Sequence, residues 1–214
     1  MKLFYAPQSP FARKVRAAAI ELGLHSRIEL EYAEVLPGKP NSEFARERNA
    51  LRKVPTLITD EGATIFDSTV ICEYLDSLTG GGVLVPRDGP ERWRVLTMHA
   101  VAQGMCESAI LIRYETWLRP EPARWPIWIE DQWNRIDSGL DWFERNPPTP
   151  ASIPTMAHLA LGSALGYIDF RWPSRAWRDR FPHVSRWFME LETRASFEST
   201  KPSTPPTVLR PGTG

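Results

Sequence analysis

Residues 1–24 read MKLFYAPQSPFARKVRAAAIELGL, and the joint inside this stretch decides how the chain begins to fold. KLFYA is a short apolar strand. Phe11, Val15, Ala18 and Leu22 then recur at helical spacing on one face, and Gly23 follows as a C-terminal stop. Ser9 stands at the joint, directly before Pro10. Serine at an N-cap accepts from a free backbone N–H, and proline at the first helical position needs no N–H of its own. The same helix end concentrates partial positive charge and unpaired donors, so it is also a seat for an anion. Both readings of Ser9 stay open at this stage.

Downstream, RIELEY (27–32) alternates, with Ile28, Leu30 and Tyr32 on one side, and reads as a strand. NSEFARERN (41–49) is a short polar helix or an irregular segment. VPTLIT (54–59) and ATIF (63–66), joined by DEG, form a hairpin, and DSTVICEYLDSL (67–78) is a helix with a buried stripe of Ile71, Tyr74, Leu75 and Leu78. The order is βαβ, then αββα. Pro55 holds Val54 extended and marks an edge strand if its peptide bond is trans. A cis bond would instead turn the Val54 N–H and C=O outward, free to pair with an extended peptide. Asp67 and Ser68 read as a helix cap. They also suit an amino-acid head group: amides and hydroxyl for its carboxylate, Asp67 for its ammonium.

All nine tryptophans lie at Trp93 or later. Between the two compositional regimes runs TGGGVLVPRDGP (79–90), a glycine- and proline-rich linker. The expected organisation is an α/β domain over 1–78, a linker over 79–90, an all-helical domain over 91–200 and a proline- and threonine-rich tail over 201–214. Long helices are expected at 90–118, 128–146, 155–170 and 183–197. The third is apolar on nearly every side and should be central.

Lys+Arg and Asp+Glu number 26 each, so charge gives no argument for nucleic acid or an anionic membrane. No apolar run is read as approaching the roughly 18 residues of a membrane span, and no secretory signal is read at the N-terminus. Cys72 and Cys106 match no metal or redox spacing, and the histidines match no metal-ligand spacing. No phosphate-cradling glycine motif supports nucleotide chemistry. A reduced, cytoplasmic compartment is expected.

Ser9-Pro10 opening a helix, Val54-Pro55 opening a hairpin and Asp67-Ser68 opening the next helix resemble, in order and spacing, the N-terminal thioredoxin-like domain of glutathione transferases. The linker, the helical second region, ILIRYE (110–115), ALGYIDFRWP (164–173) and RASFESTKP (194–202) resemble bacterial members of that family. The SPF start is most similar to serine-type enzymes, including plant tau-class relatives. The resemblance implies a thioredoxin-like domain followed by a helical bundle, with glutathione as co-substrate and neither metal nor nucleotide. It implies that Ser9 donates to the glutathione sulfur and favours its thiolate. Val54 would pair through its main chain with the cysteinyl part across a cis Pro55, and Asp67 and Ser68 would hold the γ-glutamyl end. Lys53 would lie near the glycyl carboxylate, with Lys39 better read as solvated charge. The expected partner is a small hydrophobic electrophile in a pocket drawn from Phe11, Met105 and Ile112, with Trp117 a further candidate. At helical spacing such residues serve equally well as core. A homodimer is implied.

Two further activities fit the same resemblance: a non-catalytic interaction module, and glutathione-dependent peroxide reduction, isomerisation or lyase chemistry. One departure is visible. The buried helix of this family starts with a Ser/Thr-x-x-Asp cap, whereas TMAH places His158 at the aspartate position. The reciprocal capping bond is then lost or passes to a neutral imidazole. On this reading His158→Asp raises the melting temperature.

Overall fold

A computed structural model describes residues 1–39 and 41–205. The expected tail falls outside the described residues from position 206 onward. Strand β1 (Lys2–Tyr5) leads through Ser9 into α1 (Pro10–Glu21), and a single 3₁₀ turn precedes β2 (Glu29–Tyr32). Helix α2 (Ser42–Glu47), strands β3 (Thr56–Ile58) and β4 (Thr64–Ile65) and helix α3 (Ser68–Ser77) complete the first layer. The sheet order is β2-β1-β3-β4, with β1 parallel to β2 and the other pairs antiparallel. This is the thioredoxin-like arrangement.

β2 is an edge strand whose four residues are all exposed, so its alternation marks pairing rather than burial. On α3, Ile71 and Leu75 are fully buried and Tyr74 packs partly against the core. Leu78, expected in the same stripe, is 37% exposed because the helix ends at Ser77 and Leu78 forms its cap.

The linker is fixed by Asp76, whose two carboxylate oxygens accept from the Gly82 and Val83 N–H groups at 3.0 and 3.1 Å. Gly80, Gly81 and Gly82 all have positive φ, a path side chains resist. Helix α4 (Gly89–Trp117) begins inside the expected linker. It is followed by α5 (Pro126–Arg145), α6 (Met156–Arg171), α7 (Trp177–Arg180), α8 (Pro182–Glu192) and α9 (Ala195–Glu198). In α6 every residue from Met156 to Ile168 is buried, as its all-round apolarity demands. One continuous core runs from Leu3 and Val15 in the first domain to Phe197 near the end of the second.

α4 corrects one expectation. By length and composition alone it could cross a membrane, with an 18-residue window of mean hydropathy 1.4. The few polar residues dispersed among Met, Ala, Ile and Leu hide this from a search for unbroken apolar runs. Half of that window is buried within the protein, where α4 packs on α5 and α6.

Helix α1 is sealed against α6 and α9. Arg13 is 2% exposed, donates to the Phe197 carbonyl at 3.1 Å and lies over the Phe197 ring. Gly166 lets this guanidinium pass, because any Cβ there would collide with Arg13 Nη1. Arg194 grips Glu21 through two bonds of 2.8 and 2.7 Å.

The start of α6 reverses the sign expected for His158→Asp. The Thr155 N–H donates to His158 Nδ1 at 3.0 Å, and the ring in turn bonds the Thr149 backbone. Burial, then the nearby Arg94, lowers its pKa to about 4, so the ring is neutral with its proton on Nε2. It also packs on Trp187 with centroids 5.8 Å apart. An aspartate could accept from Thr155 but could neither donate to Thr149 nor cover Trp187. His158→Asp is therefore expected to cost about 1–2 kcal/mol and lower the melting temperature by about 3–6 °C. Calorimetry checks this, and a raised transition would restore the opposite sign.

Candidate functional site

The first domain faces α4 and α6 across a cleft of about 730 Å³. Ser9, Phe11, Lys39, Lys53, Val54, Pro55, Asp67 and Ser68 all line it. Local chain geometry explains each placement.

Ser9 caps α1: its Oγ accepts from the Ala12 N–H at 3.2 Å. That bond uses a lone pair and leaves the hydroxyl proton free to donate. The Phe11 N–H has no acceptor among the described residues. The end of α1 therefore presents an O–H and an N–H at the positive pole of a helix, with no basic or acidic side chain needed.

The Val54–Pro55 peptide bond is cis. Asn49, itself 2% exposed, holds the approach to it. Its amide donates to the Lys53 carbonyl at 3.0 Å and to Thr56 Oγ1 at 2.9 Å. Val54 stands just outside the β1–β3 ladder, and neither its N–H nor its C=O is bonded among the described residues. An extended peptide could pair there.

Asp67 caps α3, with Oδ1 accepting from Thr69 N at 2.9 Å and Val70 N at 3.5 Å. Its second oxygen makes no hydrogen bond among the described residues. Ser68 is 1% exposed yet lines the cleft beside it. Lys53 is exposed at the rim, and Lys39 is paired with Glu34 at 3.4 Å.

On α4 the structure separates the expected pocket residues. Met105 and Ile112 are 2% and 1% exposed and belong to the core, Met105 against Gly139 of α5. Neither lines the main cleft. The face that does carries Gln103, Glu107, Ile110, Arg113, Tyr114 and Trp117, and α6 adds Tyr167 and Arg171. Sequence reasoning missed most of these. The available signal was Tyr167 and Arg171, polar groups four residues apart at the end of an otherwise apolar helix.

Both cysteines are unsuited to nucleophilic work. Cys72 and Cys106 are buried, and burial pushes their thiols up to about 11 and about 12. Burial likewise raises the Tyr114 and Tyr167 phenols above their ordinary range. The chemistry this arrangement supports is stabilisation of an anion brought by the ligand, at the end of α1.

A thioredoxin-like layer with a cis-proline loop thus faces a helical region across one cleft, the arrangement of a two-part ligand-binding fold. Residues 3–82 match the family model described as glutathione S-transferase, N-terminal domain, and residues 126–188 match glutathione S-transferase, C-terminal domain. The chain is 31% identical over 205 residues to the "Uncharacterized GST-like protein YibF" of Escherichia coli (strain K12), covering 94% of this chain and 98% of that protein. It is 34% identical to a glutathione transferase family member from Pseudomonas fluorescens Pf-5 crystallised with bound glutathione (TM-score 0.88, 95% of this chain and 99% of that one). A second structure of a glutathione transferase family member from Pseudomonas fluorescens Pf-5 holds bound S-(propanoic acid)-glutathione (TM-score 0.85, 34% identity, 94% of this chain and 99% of that one). The chain belongs to the glutathione S-transferase family.

Proposed function

We propose that the protein is a serine-type glutathione transferase, similar at its start to the tau class, that activates the glutathione thiol as a thiolate for attack on an electrophile. The observation that carries this reading is the end of α1, where the Ser9 hydroxyl keeps its proton available and sits in the same cleft as the free Val54 main chain and Asp67. A free thiol titrates near 8.5, and lowering it by about two units requires about 2.7 kcal/mol in favour of the thiolate. A hydrogen bond to a charged partner contributes about 1.5–3 kcal/mol and a helix N-terminus about 0.3–1 kcal/mol. Together these suffice, with Ser9 as donor rather than nucleophile. The glutathione and glutathione conjugate bound by the Pseudomonas relatives support the same reading.

Val54 pairs with the cysteinyl part, Asp67 and Ser68 hold the γ-glutamyl end, and Lys53 faces the glycyl carboxylate. The protein acts as a homodimer in the cytoplasm, a compartment consistent with two free buried thiols.

Retention on immobilised glutathione, followed by a conjugation assay, tests the reading; absence of both would leave the interaction-module alternative. Asp67→Asn removes the charge facing the ligand's ammonium while keeping a side chain able to cap. It is expected to weaken glutathione binding about tenfold, read by calorimetry, with the Tm shifted by no more than a few degrees. Unchanged affinity would remove Asp67 from the γ-glutamyl site.

A further inference from the structure

We infer that Gln103, on the second domain's side of the cleft, is a further glutathione-binding residue, its side-chain amide donating to the α-carboxylate of the γ-glutamyl end, and that buried Lys14 is the positioning residue that orients it. This deepens the transferase reading above and rests on it.

His99, Gln103 and Glu107 stand four residues apart on α4 and share one face. Burial falls away along that face. His99 is 6% exposed, Gln103 is half-buried and Glu107 is exposed, and the last two line the cleft. Lys14 of α1 is buried against this row, with its ammonium 3.1 Å from His99 Nε2, 3.1 Å from Gln103 Oε1 and 3.4 Å from Thr69 Oγ1. An ammonium has only hydrogens to offer, so it takes the amide oxygen of Gln103 and not the nitrogen. The amide NH₂ group is thereby turned away from the buried cation. One of its hydrogens goes to Glu107 Oε1 at 3.2 Å. The other has no acceptor among the described residues.

The same ammonium ties this amide to the head-group site. Thr69 follows Ser68 directly, and its N–H is capped by Asp67 at 2.9 Å. Thr69 from the first domain and Gln103 from the second therefore flank a single nitrogen. Asp67, Ser68 and Gln103 line one cleft, and the charges of Asp67 and Glu107 both reach Lys14. The γ-glutamyl end carries a carboxylate and an ammonium side by side. An N–H donor next to a buried cation suits the carboxylate, whereas Asp67 suits the ammonium. Gln103 thus closes over the carboxylate from the helical side, opposite the Ser68 hydroxyl and the start of α3. Lys14 touches no ligand itself; it fixes which end of the Gln103 amide does.

The test uses the full chain and two peptides, glutathione and 4-aminobutyryl-cysteinylglycine, which is glutathione without that carboxylate. Calorimetry is expected to show the unsubstituted protein binding glutathione about tenfold or more tighter. Gln103→Glu keeps an oxygen for Lys14 but has no N–H to give. It should weaken glutathione about tenfold or more and change the truncated peptide less than about threefold. A residue that only tied α4 to Lys14 would behave differently: Gln103→Glu would keep glutathione affinity, and Gln103→Ala would weaken both peptides alike. Either of those results overturns the inference, as do equal affinities of the two peptides for the unsubstituted protein. The transferase reading stands in all three cases, because glutathione still binds. Lys14→Met should weaken glutathione about fivefold, but about twofold or less once Gln103 is alanine. A full fivefold loss in that background overturns the role given to Lys14. If Lys14→Met does not fold, the Gln103 variants still decide, since both leave Lys14 in place. Failure of glutathione to bind the unsubstituted protein overturns the transferase reading and the inference with it.

Discussion

Ser9→Ala is expected to raise the pKa of the bound glutathione thiol by about one to two units, and to slow conjugation at neutral pH about tenfold or more. The hydroxyl has two simultaneous uses. Its oxygen accepts from Ala12 N–H at 3.2 Å, which caps the helix, and Ser9 lines the cleft, where on the proposed reading its O–H donates a hydrogen bond to a sulfur anion. Capping and activation are therefore not rival roles. Alanine removes both, and the two losses are read separately. Loss of the cap costs about 1 kcal/mol of stability. Loss of the donor appears in an ultraviolet titration of the thiolate. Glutathione affinity should change less than about threefold, because on the proposed reading Val54, Asp67 and Lys53 hold the peptide. Ser9→Thr keeps the oxygen and hydrogen and should retain most of the pKa depression. A thiol pKa that does not move in Ser9→Ala would take Ser9 out of the mechanism and leave it a cap alone.

The first domain was more legible in the sequence than the electrophile wall. Ser9, Pro10 and Gly23 announce a helix through local chemistry, and local chemistry does not depend on what packs nearby. The same holds for Asp67 before α3. The cis isomer of Val54–Pro55 was implied by the family resemblance alone, since the local sequence of an X–Pro pair does not select cis. Met105 and Ile112 illustrate a different limit. Composition puts apolar residues on a helix, but only packing against α5 and α6 decides which face is core and which is cleft. Once that is known, the cleft face is the polar and aromatic one, with Arg113, Tyr114 and Trp117. His158 shows a third limit. A motif predicts that an acceptor is wanted at that position, but the second bond to Thr149 and the contact with Trp187 are tertiary. They reverse the sign of the expected substitution effect.

Stability should fall as pH drops from about 6.5 to about 4, and a buried cluster beneath the site accounts for much of the loss. Lys14, 1% exposed, reaches His99 Nε2 at 3.1 Å, Gln103 Oε1 at 3.1 Å and Thr69 Oγ1 at 3.4 Å. An ammonium has three hydrogens and here finds three neutral acceptors, but only while His99 Nε2 is bare. Protonating His99 would remove an acceptor and set two cations together in a buried space. Burial, then Lys14, lowers the His99 pKa to about 4, with Asp67 opposing; His158 is held to about 4 by burial and Arg94. A histidine whose folded pKa lies below its unfolded 6.5 contributes its full stability above 6.5. That stability is lost as the pH falls toward the folded value, because the unfolded chain binds the proton first. The loss amounts to about 2 kcal/mol for each ring by pH 5 and about 3 kcal/mol at its limit. Urea unfolding at pH 7, 6 and 5 measures it. His99→Gln keeps an acceptor for Lys14 but cannot be protonated, so it should remove about half of the pH dependence and His158→Gln the other half. Stability that stays flat between pH 7 and 5 would mean that both rings accept protons in the folded state, and that the Lys14 cluster does not depend on a neutral His99.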